Sequence, residues 1–147
     1  MATIRLDIVT MERVVLSEQV NSVSAPSVDG DIGILPRHTP LITALREGEL
    51  HYFKDGVEYD FAIGGGFAEV RPDHVIILAD SAERADEIDE QRAEAARQRA
   101  QRALKETPRS DAEFARLEHA LRRAETRLKV ARRRRGAARI GGPDEAA

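Results

Sequence analysis

The first eighty residues alternate. Thr3-Ile-Arg-Leu-Asp-Ile-Val9 places Ile4, Leu6 and Ile8 on one face and polar side chains on the other, the period-two pattern of a half-buried strand. Short apolar stretches follow at 14–16, 20–23, 32–35, 50–53, 57–63, 67–70 and 75–78. Turn-forming residues separate them at Asp29-Gly30, Lys54-Asp-Gly56, Gly64-Gly-Gly66 and Arg71-Pro-Asp73. Many short strands at this spacing predict an antiparallel β-sandwich over residues 1–82.

From there the period changes. Asp80 or Asp86 can cap an Ala/Arg/Glu-rich helix that runs to about Lys105, and Thr107-Pro108 breaks it. Ser110-Asp-Ala-Glu113 reads as a capping box that opens a second helix. Phe114, Leu117, Leu121, Ala124, Leu128 and Ala131 then form a seam at alternating spacings of 3 and 4. Ala93, Ala96, Ala100 and Ala103 repeat that spacing in the first helix. The short connection predicts an antiparallel two-helix hairpin over residues 83–135. An alanine seam lets two helices approach closely but buries little area, so the hairpin is weakly held. Residues 136–147, with Gly141-Gly-Pro143, read as a disordered tail. The expected fold class is α+β, an N-terminal β-sandwich followed by a C-terminal helical hairpin.

Composition supports the division. Seven of the ten Gly and four of the six Pro lie in residues 1–72, and no Gly occurs between Gly66 and Gly136. The net charge of −3 is also a sum of unlike parts. Residues 1–80 carry 6 basic and 13 acidic side chains, whereas residues 81–147 carry 17 basic and 13 acidic. The absence of Cys excludes disulfides, thiolate metal sites and cysteine nucleophiles. Aromatic residues make up 4% and Trp is absent, which argues against a base-stacking surface for nucleic acid. No apolar run reaches the length of a membrane span, and the N-terminal residues show no signal or transit pattern, so a cytoplasmic protein is expected.

Catalytic motifs are missing. His38, His51, His74 and His119 are scattered without a metal-ligand spacing, and no metal site is expected. Gly64-Gly-Gly66 lacks a following lysine and helix start, so it reads as a tight connection between two strands, not a phosphate loop. Asp29 to Gly33 has too few oxygen ligands for calcium and reads as a hairpin turn. No nucleophile elbow is present. The remaining feature is arginine placement. Arg92 and Arg99 lie seven residues apart, within about 20° around a helix. Arg116, Arg123 and Arg127 make a stripe on the second helix. In an antiparallel hairpin these can converge as a polyphosphate site, with Glu83 or Asp89 beside it. Ordinary surface pairs such as Asp89–Arg92, Glu113–Arg116, Glu118–Arg122 and Glu125–Lys129 explain the same residues without a ligand.

Three segments carry a family resemblance. Gly33-Ile-Leu-Pro-Arg-His-Thr-Pro-Leu41 and Ala62-Ile-Gly-Gly-Gly-Phe-Ala-Glu-Val-Arg-Pro-Asp73 resemble two signatures of the epsilon subunit of F-type ATP synthases, in the right order, over roughly residues 1–131. Arg37 stands where a Gly is common. Ile88-Asp-Glu-Gln-Arg-Ala93 matches the I/L-D-x-x-R-A motif with which some bacterial members bind ATP on the folded hairpin. The resemblance implies a non-catalytic rotor subunit without a required cofactor, on the cytoplasmic face of the cell membrane as a peripheral protein. Its implied partners are the gamma subunit of the central stalk, the c-ring, and the catalytic alpha and beta subunits when the hairpin extends and inhibits hydrolysis. The implied ATP-binding residues are Glu83, Ile88, Asp89, Arg92, Ala93, Arg99, Arg123 and Arg127. The implied inhibitory contacts are Arg122, Arg123 and Arg127, joined by the Arg132–Arg135 run on charge grounds. A basic hairpin that binds nucleic acid, and a structural rotor subunit that ignores nucleotide, remain the alternatives.

Overall fold

The computed structural model describes residues 2–140, with side chains described as far as Arg133. It contains eight strands: β1 Ile4–Val9, β2 Val14–Val20, β3 Ser22–Ser27, β4 Gly30–Ile34, β5 Leu41–Lys54, β6 Val57–Val70, β7 His74–Ala79 and β8 Ala82–Arg84. A single 3-10 turn at Ala85–Glu87 leads to helices α1, Glu90–Glu106, and α2, Ala112–Ile140. The chain forms two compact units that divide after Glu83.

In the first unit the strands pair in the order β2-β1-β7-β6-β5-β3-β4, with β8 on β6. All neighbours are antiparallel except β1 and β7, which run parallel. The fourteen-residue strands β5 and β6 are long enough to belong to both layers, and the sheet folds over on itself. End strand β2 comes back against β5, where Asn21 N–H, just past β2, donates to Phe53 O at 2.8 Å and Lys54 Nζ lies 3.6 Å from Glu18. The period-two pattern is explained by what lies between the layers: Ile4, Leu6 and Ile8 of β1 are fully buried with Leu50, Phe61 and Ile63.

Two sequence expectations change here. The separate stretches at 57–63 and 67–70 are one strand, and Gly64-Gly-Gly66 lies inside it and not between two strands. Gly65 and Gly66 have φ of +100° and +130°, and a Cβ on Gly66 would stand 2.0 Å from Leu78 O. The glycines let β6 pass against β7 at a separation no side chain permits. A hairpin turn does lie here, but its loop is Val28-Asp29, with Ser27 opposite Gly30; residues 30–33, read as part of the turn, belong to β4.

The second unit is an antiparallel hairpin in which α1 and α2 pack together. Ala93 and Ala100 of α1 are buried, as are Ala124, Leu128, Val130 and Ala131 of α2. Phe114, Leu117 and Leu121 are only half-buried, so the seam is tight near the α2 C-terminal half and open towards the loop. Neither Asp80 nor Asp86 caps α1. Residues 82–84 are held as a strand and Ile88 is extended, which delays the helix until Asp89 can accept the Arg92 N–H. At α2 the Asp111 side chain, rather than Ser110, accepts the Glu113 N–H at 2.9 Å. Helix α2 continues through Ile140, past the expected end at Arg135. The remainder of the expected tail, residues 141–147, lies outside the described residues.

Candidate functional site

Helical periodicity sorts the hairpin's charges onto two edges. Residues are about 100° apart around a helix. Relative to the buried Ala93–Ala100 line, Glu90, Glu94 and Arg97 fall on one flank of α1, and Arg92 and Arg99 on the other. On α2, Glu125 and Arg132 fall on one flank of Ala124 and Leu128, and Arg123 and Arg127 on the other.

The first pair of flanks is clasped. Arg132 Nε lies 3.1 Å from Glu90 Oε1, and its guanidinium is 3.7 Å from Glu94. Arg97 donates to Glu94 through Nε at 3.0 Å and through a second, shorter bond, while Glu125 faces Arg97 from α2. The Arg97 hydrogen bonds hold the Glu94 carboxyl below its usual range against desolvation, with Gln98 and the Arg97 and Arg132 charges adding to the effect.

The opposite edge is the arginine edge. With Glu90 level with Arg132 and Arg97 level with Glu125, antiparallel register sets Arg99 opposite Arg123 and places Arg127 between the levels of Arg92 and Arg99. Seven residues of helix separate Arg92 and Arg99 by about 10 Å along the axis. Arg92, Arg99 and Arg123 are exposed and make no ion pair among the described residues, whereas Arg127 is half-buried. Exposed guanidinium groups gathered on one edge are suited to a polyphosphate, which each can grip bidentately.

Other expected site residues have different roles. Asp89 is the N-cap of α1, its Oδ1 accepting the Arg92 N–H at 3.1 Å, so one residue of the motif sets the first turn that carries another. Ala93 is fully buried and sets how closely the helices approach. Ile88 is half-buried next to the 3-10 turn, which packs against α2. Glu83 belongs to β8 and the first unit, not to the hairpin. Arg122 sits away from both edges and lies 3.1 Å from His119 Nδ1. Arg132 is engaged in the clasp, Arg133 is exposed, and the side chains of Arg134 and Arg135 lie outside those described.

Sequence reasoning missed a surface on the first unit. Across β5, β6, β7, β1 and β2 the register aligns Ala44, Phe67, Leu78, Val9 and Val14 in one row on the face opposite the core. Phe67 is 58% exposed, Leu78 53% and Val14 62%, and Ile42 adjoins at 74%. Alternation predicts polar residues at these positions, so the signal was the apolar residue on the wrong phase, legible only once the register is fixed. No described helix is long and apolar enough to cross a membrane.

Residues 3–85 match the beta-sandwich domain of the ATP synthase Delta/Epsilon chain, and residues 86–132 match its long alpha-helix domain. The ATP synthase epsilon chain of Herpetosiphon aurantiacus is 69% identical over 93 residues, 63% of this chain and 68% of that protein. The epsilon chain of a Roseiflexus species is 66% identical over 93 residues, 63% and 67% respectively. A chain in the cryo-EM structure of Euglena gracilis mitochondrial ATP synthase, with OSCP, F1 and c-ring, superposes with a TM-score of 0.76 at 28% identity, covering 89% of this chain and 82% of that one. The chain belongs to the ATP synthase delta/epsilon family, among its epsilon chains, which are non-catalytic subunits.

Proposed function

We propose that this chain is a central-stalk subunit of a rotary ATP synthase whose helical hairpin is a nucleotide-sensitive regulatory arm. The observation that carries the reading is the asymmetry of the hairpin, clasped by ion pairs on one edge and lined on the other by Arg92, Arg99 and Arg123, which make no ion pair among the described residues. ATP on that edge bridges α1 to α2 and therefore stabilises only the folded hairpin. The shift is RT ln(1 + [ATP]/Kd), about 2.7 kcal/mol at a hundredfold excess over Kd. When ATP is scarce the arm opens, reaches the catalytic subunits through Arg122, Arg123 and Arg127, and blocks hydrolysis. Each of those arginines then exchanges a phosphate or a local partner for an acidic surface.

The apolar row of Phe67, Leu78 and Val14 is the docking surface in this reading, facing the gamma subunit, with the c-ring below. Such a contiguous apolar patch on a small domain is the feature of a partnered surface. The subunit is then peripheral to the membrane, held there through the c-ring.

Cross-linking tests the arm directly, because the chain contains no Cys. A single cysteine in place of exposed Arg116, in the assembled complex, is expected to cross-link to gamma or a catalytic subunit without ATP and to lose that product as ATP rises. A yield that does not depend on ATP contradicts the regulatory arm and favours a structural rotor subunit.

A further inference from the structure

The β5–β6 hairpin gathers a second cluster, far from the arginines in sequence. Its register sets His51 opposite Asp60, Phe53 opposite Glu58 and Glu49 opposite Ala62. Opposed residues and those two positions along share a face, so Glu49, His51, Glu58 and Asp60 project together. Leu50, Tyr52 and Phe61 fill the core on the other face, where Tyr52 and Tyr59 stack at 4.8 Å. The polar cluster therefore stands on a stiff two-stranded platform.

Its geometry is that of a ligand set. His51 Nδ1 is 2.7 Å from Asp60 Oδ1 and 3.7 Å from Glu58 Oε1. One ligand atom from each of the three lies within 4.8 Å of the others. On the far side of the ring, His51 Nε2 is 3.1 Å from Glu49 Oε2. Without an ion, Nδ1 donates to Asp60 Oδ1; a metal takes the place of that proton, and the imidazole then keeps its proton on Nε2, towards Glu49. That is the carboxylate–histidine arrangement by which proteins orient a metal-binding imidazole. The side chains of Asp60 and Glu49 are 6% and 9% exposed and that of His51 17%, whereas Glu58 at 41% leaves an open side.

Charge points the same way. Asp60 and Glu58 have no lysine or arginine ion pair among the described residues, and His51 is the only basic side chain at their ion-pair distance. Carboxylates brought this close repel unless a cation lies between them. One imidazole nitrogen and two carboxylates suit a borderline ion such as zinc, which takes N and O ligands at about 2.0–2.2 Å and accepts three protein ligands with water as the fourth. Magnesium and calcium prefer six or more oxygens and match the set poorly.

We propose that His51 Nδ1, Asp60 and Glu58 bind a zinc-class divalent ion on the outer face of the β5–β6 hairpin, with Glu49 orienting the imidazole. The ion pins the two strands together across their turn, and the open side admits a water or an external ligand. Binding requires the 2.7 Å gap between Nδ1 and Asp60 to widen by roughly 0.6–0.9 Å, to the edge of a tetrahedron.

Zinc titration of the full-length, chelator-treated protein by calorimetry tests this, with cobalt absorption reporting nitrogen and oxygen coordination. One ion per chain is expected, with a raised melting temperature and no equivalent response to magnesium. His51→Gln is expected to abolish saturable binding, and Glu49→Gln to weaken it by about ten- to a hundredfold while leaving the stoichiometry intact. Glu58→Ala, at an exposed position, serves if the buried variants fail to fold, and must lower affinity. Absence of saturable zinc binding to the wild type, or unchanged affinity in a folded His51→Gln or Glu58→Ala, overturns the assignment and leaves a hydrogen-bonded polar cluster.

Discussion

Arg132 on α2 reaches Glu90, the first residue of α1, with Nε 3.1 Å from the carboxylate. The contact joins residues 42 apart in sequence and ties the start of one helix to the late turns of the other. It forms only when the hairpin is folded, so it acts as a clasp. Because Arg132 is about half exposed, the clasp is weak and solvent-screened. Arg132→Glu is expected to speed amide exchange in α1 and α2 by about two- to fivefold without changing exchange in the sandwich.

The closeness of the helices rests on Ala93, which is fully buried. Ala93→Leu adds three carbons where none fits and must push α1 from α2, costing about 1–3 kcal/mol. A thermal or denaturant titration that follows the hairpin separately from the sandwich should show loss in the hairpin alone. In the assembled complex the same substitution should favour the extended arm and depress ATP hydrolysis.

Gly66 makes the corresponding prediction for the sandwich. Its φ of +130° and the 2.0 Å approach of Leu78 O to a Cβ leave no room for a side chain. Gly66→Ala is expected to cost at least about 1–3 kcal/mol from backbone strain alone, with the clash added, and to lower the melting temperature of the sandwich. Gly33→Ala, where a Cβ meets nothing within 4 Å, is the control and should be close to neutral.

Asp7 couples the sandwich to pH. Partial burial raises its carboxyl pKa, but hydrogen bonds from Ser17, His74 and Arg5 outweigh that and hold it below the ordinary 3.8. A depressed folded-state value means that Asp7 contributes stability fully above the unfolded-state pKa and loses it as pH falls through the folded one. Stability measured by urea titration should therefore decline below about pH 4, and Asp7→Asn should flatten that part of the profile.

The fold was legible to different depths in the two halves. The alternation of Ile4, Leu6 and Ile8 fixes which face is buried, and it survives because one phase error would expose all three. The glycine run was misplaced because a turn and a close strand crossing both demand residues without Cβ, and only the partner strand distinguishes them. The helix start was misplaced because Asp80, Asp86 and Asp89 are equal as caps by type. The strand pairing of residues 82–84 selects Asp89. Helical spacing supplied the arginines directly, since Arg92 and Arg99 share a face in any helix. The His51 cluster was hidden because its members are near one another only through the turn at Asp55 and Gly56, about which His51 and Asp60 are symmetrically placed.

The central claim is that the arginine edge of the folded hairpin is a nucleotide site. Calorimetric titration of the full-length protein with ATP tests it most directly, comparing wild type with Arg92→Ala and Arg123→Ala, one from each helix. Saturable binding of one ATP per chain is predicted, weakened by about ten- to a hundredfold in either variant as a charge-assisted phosphate contact is lost. No heat from the wild type at millimolar ATP, or equal affinity in all three proteins, contradicts it.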